Sequence, residues 1–98
     1  MGRYLVLFEA DFSRLPTDPQ ERARLGKPMT QAILQGIETG LIKEWGLVLG
    51  EYRGFGVYEG SETEVAGFLE QFVPWYRSTV NPVVSASELD AMVDAMLQ

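Results

Sequence analysis

Apolar and polar positions do not alternate at the start of the chain. Tyr4-Leu5-Val6-Leu7-Phe8 is an unbroken run of apolar, β-forming side chains, and the breakers Pro16, Asp18 and Pro19 follow soon after it. That is the pattern of a strand buried on both faces, hence central in its sheet. The period changes at Asp18-Pro19-Gln20-Glu21, where Asp18 is placed to cap a helix and Pro19 to fill its first turn, in which a missing N–H costs nothing. Leu25, Met29, Ala32, Ile33, Gly36 and Ile37 then recur at helical spacing, so one stripe faces a core. Pro28 within that stretch should kink or divide the helix. Gly40, just past Ile37, suits the left-handed residue that closes many helices.

Two further strands are predicted over residues 41–49 and 52–59, joined by Gly50-Glu51 as a two-residue hairpin loop with glycine at the first turn position. A loop of that length sets the register. Leu49 then faces Tyr52, Leu47 faces Gly54, Trp45 faces Gly56 and Lys43 faces Tyr58, while Gly46 faces Phe55 on the other side of the ribbon. Large residues meet glycines on both faces, and a one-residue slip would break every pair.

Ser61-Glu62-Thr63-Glu64 is a capping box, and Val65, Phe68, Leu69, Phe72, Val73 and Tyr76 follow at helical spacing with Pro74 near the end. A last strand over residues 78–84 contains Pro82, which confines it to a sheet edge or a strand end. Ser87-Glu88 opens a short terminal helix over residues 87–97, with Leu89, Met92, Val93 and Met96 on one side. The order β-α-β-β-α-β with a helical tail predicts one α+β, ferredoxin-like domain over residues 1–98: a four-stranded antiparallel sheet with two helices on one face. The first strand and the hairpin are apolar or aromatic on both sides, so the other sheet face also needs cover. A second copy packed sheet to sheet, a homodimer, is the simplest cover; the alternative is the terminal helix closing that face itself.

Composition narrows the chemistry. At 46% hydrophobic and 22% charged, the 98 residues have the make-up of one globular domain. With 14 acidic against 8 basic side chains the net charge is −6, which repels a phosphate backbone. Only Arg22, Arg24 and Lys27 lie close together, so neither nucleic acid nor an anionic membrane surface is an expected partner. Cysteine and histidine are both absent. That removes disulfides, thiol nucleophiles, Ser-His-Asp and Cys-His catalysis, and every Cys- or His-ligated metal site. The acidic residues show no calcium-ligand spacing. No cofactor is expected, and proton transfer, if any, falls to carboxylates, Tyr, Lys, Arg or an added group. Met1-Gly2-Arg3 runs into a short strand with no signal-peptide pattern, and no apolar segment is long enough to span a bilayer, so a cytoplasmic protein is expected.

The stretch Gly50-x-Tyr52-x-x-Phe55-x-Val57-Tyr58-Glu59-x-Ser61-x-x-Glu64-Val65, followed by Leu69 and a strand after Trp75-Tyr76, resembles the dimeric α/β-barrel superfamily. Its nearest look is to muconolactone-isomerase-like proteins and their uncharacterised bacterial relatives. The resemblance covers the second half of the chain by residues and the first half by element order. It implies a homodimer whose two sheets form a barrel, with a small-molecule pocket between sheet and helices. It does not imply one activity, since the superfamily includes lactone isomerases, cofactor-independent oxygenases, haem-degrading enzymes and purely binding or structural domains. The haem-binding branches look for a ligating histidine, which this chain lacks, and no catalytic residue of the isomerases maps onto a position here.

Among candidate site residues, Gly54 and Gly56 form a G-x-G inside a strand, where packing explains them better than a dinucleotide; they would also leave room for a ligand beside Trp45 and Tyr58. Trp45 and Tyr58 share one face of the hairpin, with Tyr52 further along, and form either an aromatic pocket wall or ordinary core, with Lys43 available as a partner for the Tyr58 hydroxyl. Glu9 follows directly on the central strand. Drawn into an apolar setting it would have a raised pKa and act as a proton shuttle; at a strand tip it would be solvated. Arg77 is placed to orient an anionic substrate, and Arg53 is similar, although surface ion pairing is the commoner role for both. Three functions stay open: a binder of a small, largely apolar or aromatic metabolite, a cofactor-independent isomerase or oxygenase, and an assembly domain. They part on whether Trp45, Tyr58, Glu9 and Arg77 line one enclosed cavity.

Overall fold

The apolar run at the start of the chain lies in the middle of the sheet, hydrogen-bonded on both sides. The structure is a computed structural model that describes residues 2–98. Among these residues β1 (Gly2–Ala10), α1 (Pro19–Glu38), β2 (Ile42–Val48), β3 (Arg53–Gly60), α2 (Glu62–Leu69), β4 (Tyr76–Pro82) and α3 (Ala86–Met96) follow one another, with a 3-10 turn at Glu70–Phe72. The strands form one antiparallel sheet in the order β2-β3-β1-β4. The strand carrying Pro82 is at an edge, where a residue with no N–H does not interrupt a ladder.

Helix ends follow the local chemistry. The Asp18 carboxylate accepts from the Glu21 N–H at 3.0 Å, with Pro19 first in α1, and Gly40 closes the helix at φ +86°. Pro28 does not divide α1, which runs unbroken around it. Ser61 and Glu64 form the expected capping box at 3.1 and 2.9 Å. A second box, Ser85 with Glu88, starts α3 two residues before the Ser87 start that the sequence suggested. The helix after Ser61 is shorter than its apolar spacing implies, because Tyr76 belongs to β4 and not to the helix.

The hairpin keeps its predicted register at three pairs: Leu47 with Gly54, Trp45 with Gly56 and Gly46 with Phe55. Two details differ. The loop has four residues, since Val48 pairs with Arg53 and the Glu51 N–H donates to the Val48 carbonyl at 3.1 Å. Gly50 at φ +82° and Tyr52 at φ +50° turn the chain, so Tyr52 leaves the ladder and does not face Leu49. At the other end a bulge between Ile42 and Glu44 puts Ile42, not Lys43, opposite Tyr58.

One side of the sheet is covered. Tyr4, Val6, Ile42, Tyr58 and Val65 form the buried core, with Ile33, Leu41, Trp45, Phe68 and Leu69 packed on it. α1 touches the sheet most closely at Gly36, its one buried residue, where a Cβ would stand 2.8 Å from Ile42 Cδ1. On the other side Leu5, Leu7, Phe55 and Val57 are neighbours by pairing, and Leu7 and Phe55 are exposed. α3 does not close that side. None of its residues is buried, Leu89, Met92, Val93 and Met96 all lie open, and the molecule is drawn out to 60 × 24 × 21 Å. Its radius of gyration of 16.2 Å exceeds the ~13 Å of a compact chain of this length. Among the described residues no helix is long and apolar enough to cross a membrane.

Ile42 joins helix to sheet and is 2% exposed. Ile42→Ala is expected to cost about 2–5 kcal/mol, since it removes buried methyl groups beneath Gly36 that no neighbour can replace. Urea unfolding followed by circular dichroism measures this as a lower midpoint at unchanged slope.

Candidate functional site

α1 and the sheet form a wedge. At Gly36 they are in contact; at Gly26, about 15 Å back along the helix at 1.5 Å per residue, a Cβ would meet nothing within 4 Å. The opening is a cavity of about 140 Å³ bordered by Gly26, Met29, Thr30 and Ile33 of α1, by Phe8, Trp45, Leu47, Tyr58, Tyr76 and Ser78 of the sheet, and by Leu69 and Phe72. It adjoins a second hollow of about 360 Å³ that shares Gly26, Met29, Leu47 and Tyr76 and adds Leu15, Arg22 and Tyr52.

The floor is aromatic because the strands carry glycines beside large rings. The Tyr58 ring lies over Gly56, where a Cβ would be 2.6 Å from its Cε1 and 3.3 Å from Trp45 Cδ1. The Phe8 ring occupies the space above Gly54 in the same way and stacks on Trp45 with centroids 5.3 Å apart. Tyr76 meets Phe8 edge-on at 6.0 Å, and Phe68 meets Tyr58 at 5.7 Å. The room left by Gly54 and Gly56 is thus filled by neighbouring rings, and the cavity lies between those rings and Gly26, Met29, Thr30 and Ile33 of α1.

Trp45 and Tyr58 therefore share one cavity wall, with Tyr52 in the adjoining hollow, 5.6 Å from Phe12. Glu9 and Arg77 do not join them. Alternation along β1 and β4 places both on the opposite face, paired with one another at 3.2 Å, with side chains 60% and 74% exposed. The four residues do not line one cavity: β1 sends Phe8 to the cavity and its neighbour Glu9 to the other side. Arg53 stands across from Glu9 and bonds Glu51 at 3.1 Å. Together with Leu7 and Phe55 these groups border an open depression of about 710 Å³ on the outer face. Lys43, displaced by the bulge, is not across from Tyr58. The sequence reasoning missed Phe8, Met29 and Ile33 as cavity residues. Phe8 alternates with Tyr4 and Val6, and the pairing of β1 with β3 puts that side with Trp45.

Electrostatically the cavity is neutral, for no Asp, Glu, Lys or Arg borders it. Burial pushes the Tyr58 phenol up to about 12, and burial, with the nearby Tyr52 phenol, also raises Tyr76. Among the described residues no group of three His, Cys, Asp or Glu side chains is disposed to hold a metal ion. No protein-family model and no curated protein sequence matches this chain.

The raised phenol pKa has a definite sign. The folded state holds the Tyr58 proton more tightly than the unfolded chain, so its contribution is fully present below pH 10.0 and is lost as pH rises toward about 12. Tyr58→Phe should remove the last phenol to ionise, read as tyrosinate absorbance, and should flatten the fall in stability over that alkaline window. The loss avoided is at most about 3 kcal/mol at 1.36 kcal/mol per pKa unit.

Proposed function

We propose that this chain is a ferredoxin-like domain that binds a small, planar, largely apolar molecule between α1 and the sheet, and that it acts as a homodimer. The observation that carries the binding reading is the ring-floored cavity at the open end of the α1 wedge. An apolar cavity of about 150 Å³ holds a benzene-sized molecule, close to the 140 Å³ here, and the adjoining hollow gives a larger ligand somewhere to extend. Turnover of the muconolactone-isomerase type has less support, because the sequence's candidate proton shuttle, Glu9, lies on the other face.

Gly26 supplies the test, because it borders the cavity and a Cβ there would have no neighbouring protein atom within 4 Å. Toluene titrated into the labelled protein should shift the amide resonances of α1 and β3 around Ile33, Tyr58 and Trp45. Gly26→Leu should abolish that response while raising stability by about 1 kcal/mol through better helix propensity. Toluene binding that survives Gly26→Leu would contradict the proposed site.

The dimer reading is supported by the outer face and by α3. Leu5, Leu7, Phe55 and Val57 are flanked at one end by Arg3–Glu59, 2.6 Å apart, and at the other by Glu9–Arg77. Both signs at both ends allow the same patch to meet itself about a two-fold axis. An exposed apolar sheet face on a lone domain would favour association. Light scattering at micromolar concentration is expected to give twice the chain mass, and Leu7→Lys to shift the protein to the single-chain mass while its circular dichroism stays unchanged.

A further inference from the structure

If the cavity binds a small molecule, as proposed, its polarity specifies the occupant more narrowly than its shape does. Tyr58 is only 3% exposed, yet its hydroxyl forms no hydrogen bond with any described residue, whereas the side-chain bonds around it are made by other groups, such as Thr30 Oγ1 donating to the Gly26 carbonyl at 3.1 Å. Among the described residues no fully enclosed side-chain nitrogen or oxygen lacks a partner. The Tyr58 oxygen therefore reaches open space, and the open space that Tyr58 borders is the cavity. With no protein partner, that O–H is left to bond whatever occupies the cavity, water or ligand.

We infer that the cavity takes an uncharged planar ligand bearing one carbonyl-type oxygen, which accepts a hydrogen bond from the Tyr58 hydroxyl. A carboxylate would find the same O–H, but it would leave its water for a lining that holds no cation, Arg22 of the adjoining hollow being turned to the Pro16 and Thr17 carbonyls, and an uncompensated buried charge is far more costly than a neutral carbonyl with a donor. Arg77, the cation that the sequence offered for an anionic substrate, is on the other face beside Glu9. The Tyr58 phenol keeps its proton up to about pH 12, so it is a donor throughout the neutral range. Tyr76 and Ser78 border the same cavity half-buried and in reach of solvent, and so make weaker claims on a ligand oxygen.

Three probes of similar size separate the possibilities: toluene with no polar handle, acetophenone with a neutral carbonyl, and benzoate with a charge. At pH 7, amide chemical shifts should report acetophenone binding most tightly, toluene next, and benzoate at least about a hundredfold more weakly than acetophenone. Tyr58→Phe keeps the ring over Gly56. It should weaken acetophenone about tenfold and leave toluene unchanged, the effect of removing one hydrogen bond. Benzoate binding as tightly as acetophenone, or acetophenone affinity indifferent to Tyr58→Phe, would overturn the inference while toluene binding left the cavity reading standing. If none of the three binds, both fall.

Discussion

Glycines that surrender their side-chain space to neighbouring rings are the constraint on which this domain depends. A Cβ at Gly46 would lie 2.7 Å from Phe55 Cε1 and one at Gly56 2.6 Å from Tyr58 Cε1, while one at Gly54 would strike the Gly46 backbone carbonyl as well as Phe8 Cζ at 2.7 Å. Each is a distance at which something must shift, so these strands accept the rings only where glycine stands opposite or two residues away. The consequence for register is strong. Slipping β2 by one residue against β3 would put Trp45 beside Phe55 and move Gly46 onto the tyrosine side, losing both accommodations together.

The two faces of the sheet then diverge in character. Rings laid on the α1 side build a broad aromatic floor, and α1 meets the core through Ile33 and through Gly36, where Ile42 approaches. Toward Gly26 no such contact exists, and the gap remains. On the outer side only Phe55 has a glycine to lie over, the rest being aliphatic side chains between two ion-paired ends. That face carries more charge and less enclosure. The proposed dimer contact and the proposed ligand space thus fall on opposite faces of one sheet.

Much of this was legible in the sequence because the signals were local. Asp18-Pro19, Gly40 and Ser61-x-x-Glu64 act within a turn of themselves, and each ends or starts an element as its chemistry requires. The centrality of β1 and the edge position of β4 were equally legible, from an unbroken apolar run and from Pro82. What escaped depends on distant residues. The bulge puts Ile42, whose side chain lies beneath Gly36, opposite Tyr58 in place of Lys43. Tyr76 continues the helical period of Phe72, but its backbone joins the β1 ladder at Ala10, and tertiary pairing overrides the local pattern. The division of the candidate site escaped for the same reason: Glu9 shares parity with Leu5 and Leu7, but only the long-range pairing of Val6 with Gly56 places Trp45 on the other side of the sheet from that carboxylate.

That separation bears on which chemistry the cavity suits. With no histidine or cysteine in the chain, proton transfer at neutral pH would need a carboxylate or an amine within reach, and neither borders the cavity. The groups that do are phenols and hydroxyls. A phenol held near 12 is mismatched to general acid or base work at pH 7, because efficient transfer favours a pKa near the working pH. The same mismatch is an advantage for recognition, since a hydroxyl that never ionises offers the same donor across all physiological conditions. Burial that makes Tyr58 a poor acid makes it a constant hydrogen-bond donor, which is what the proposed recognition of a neutral molecule requires.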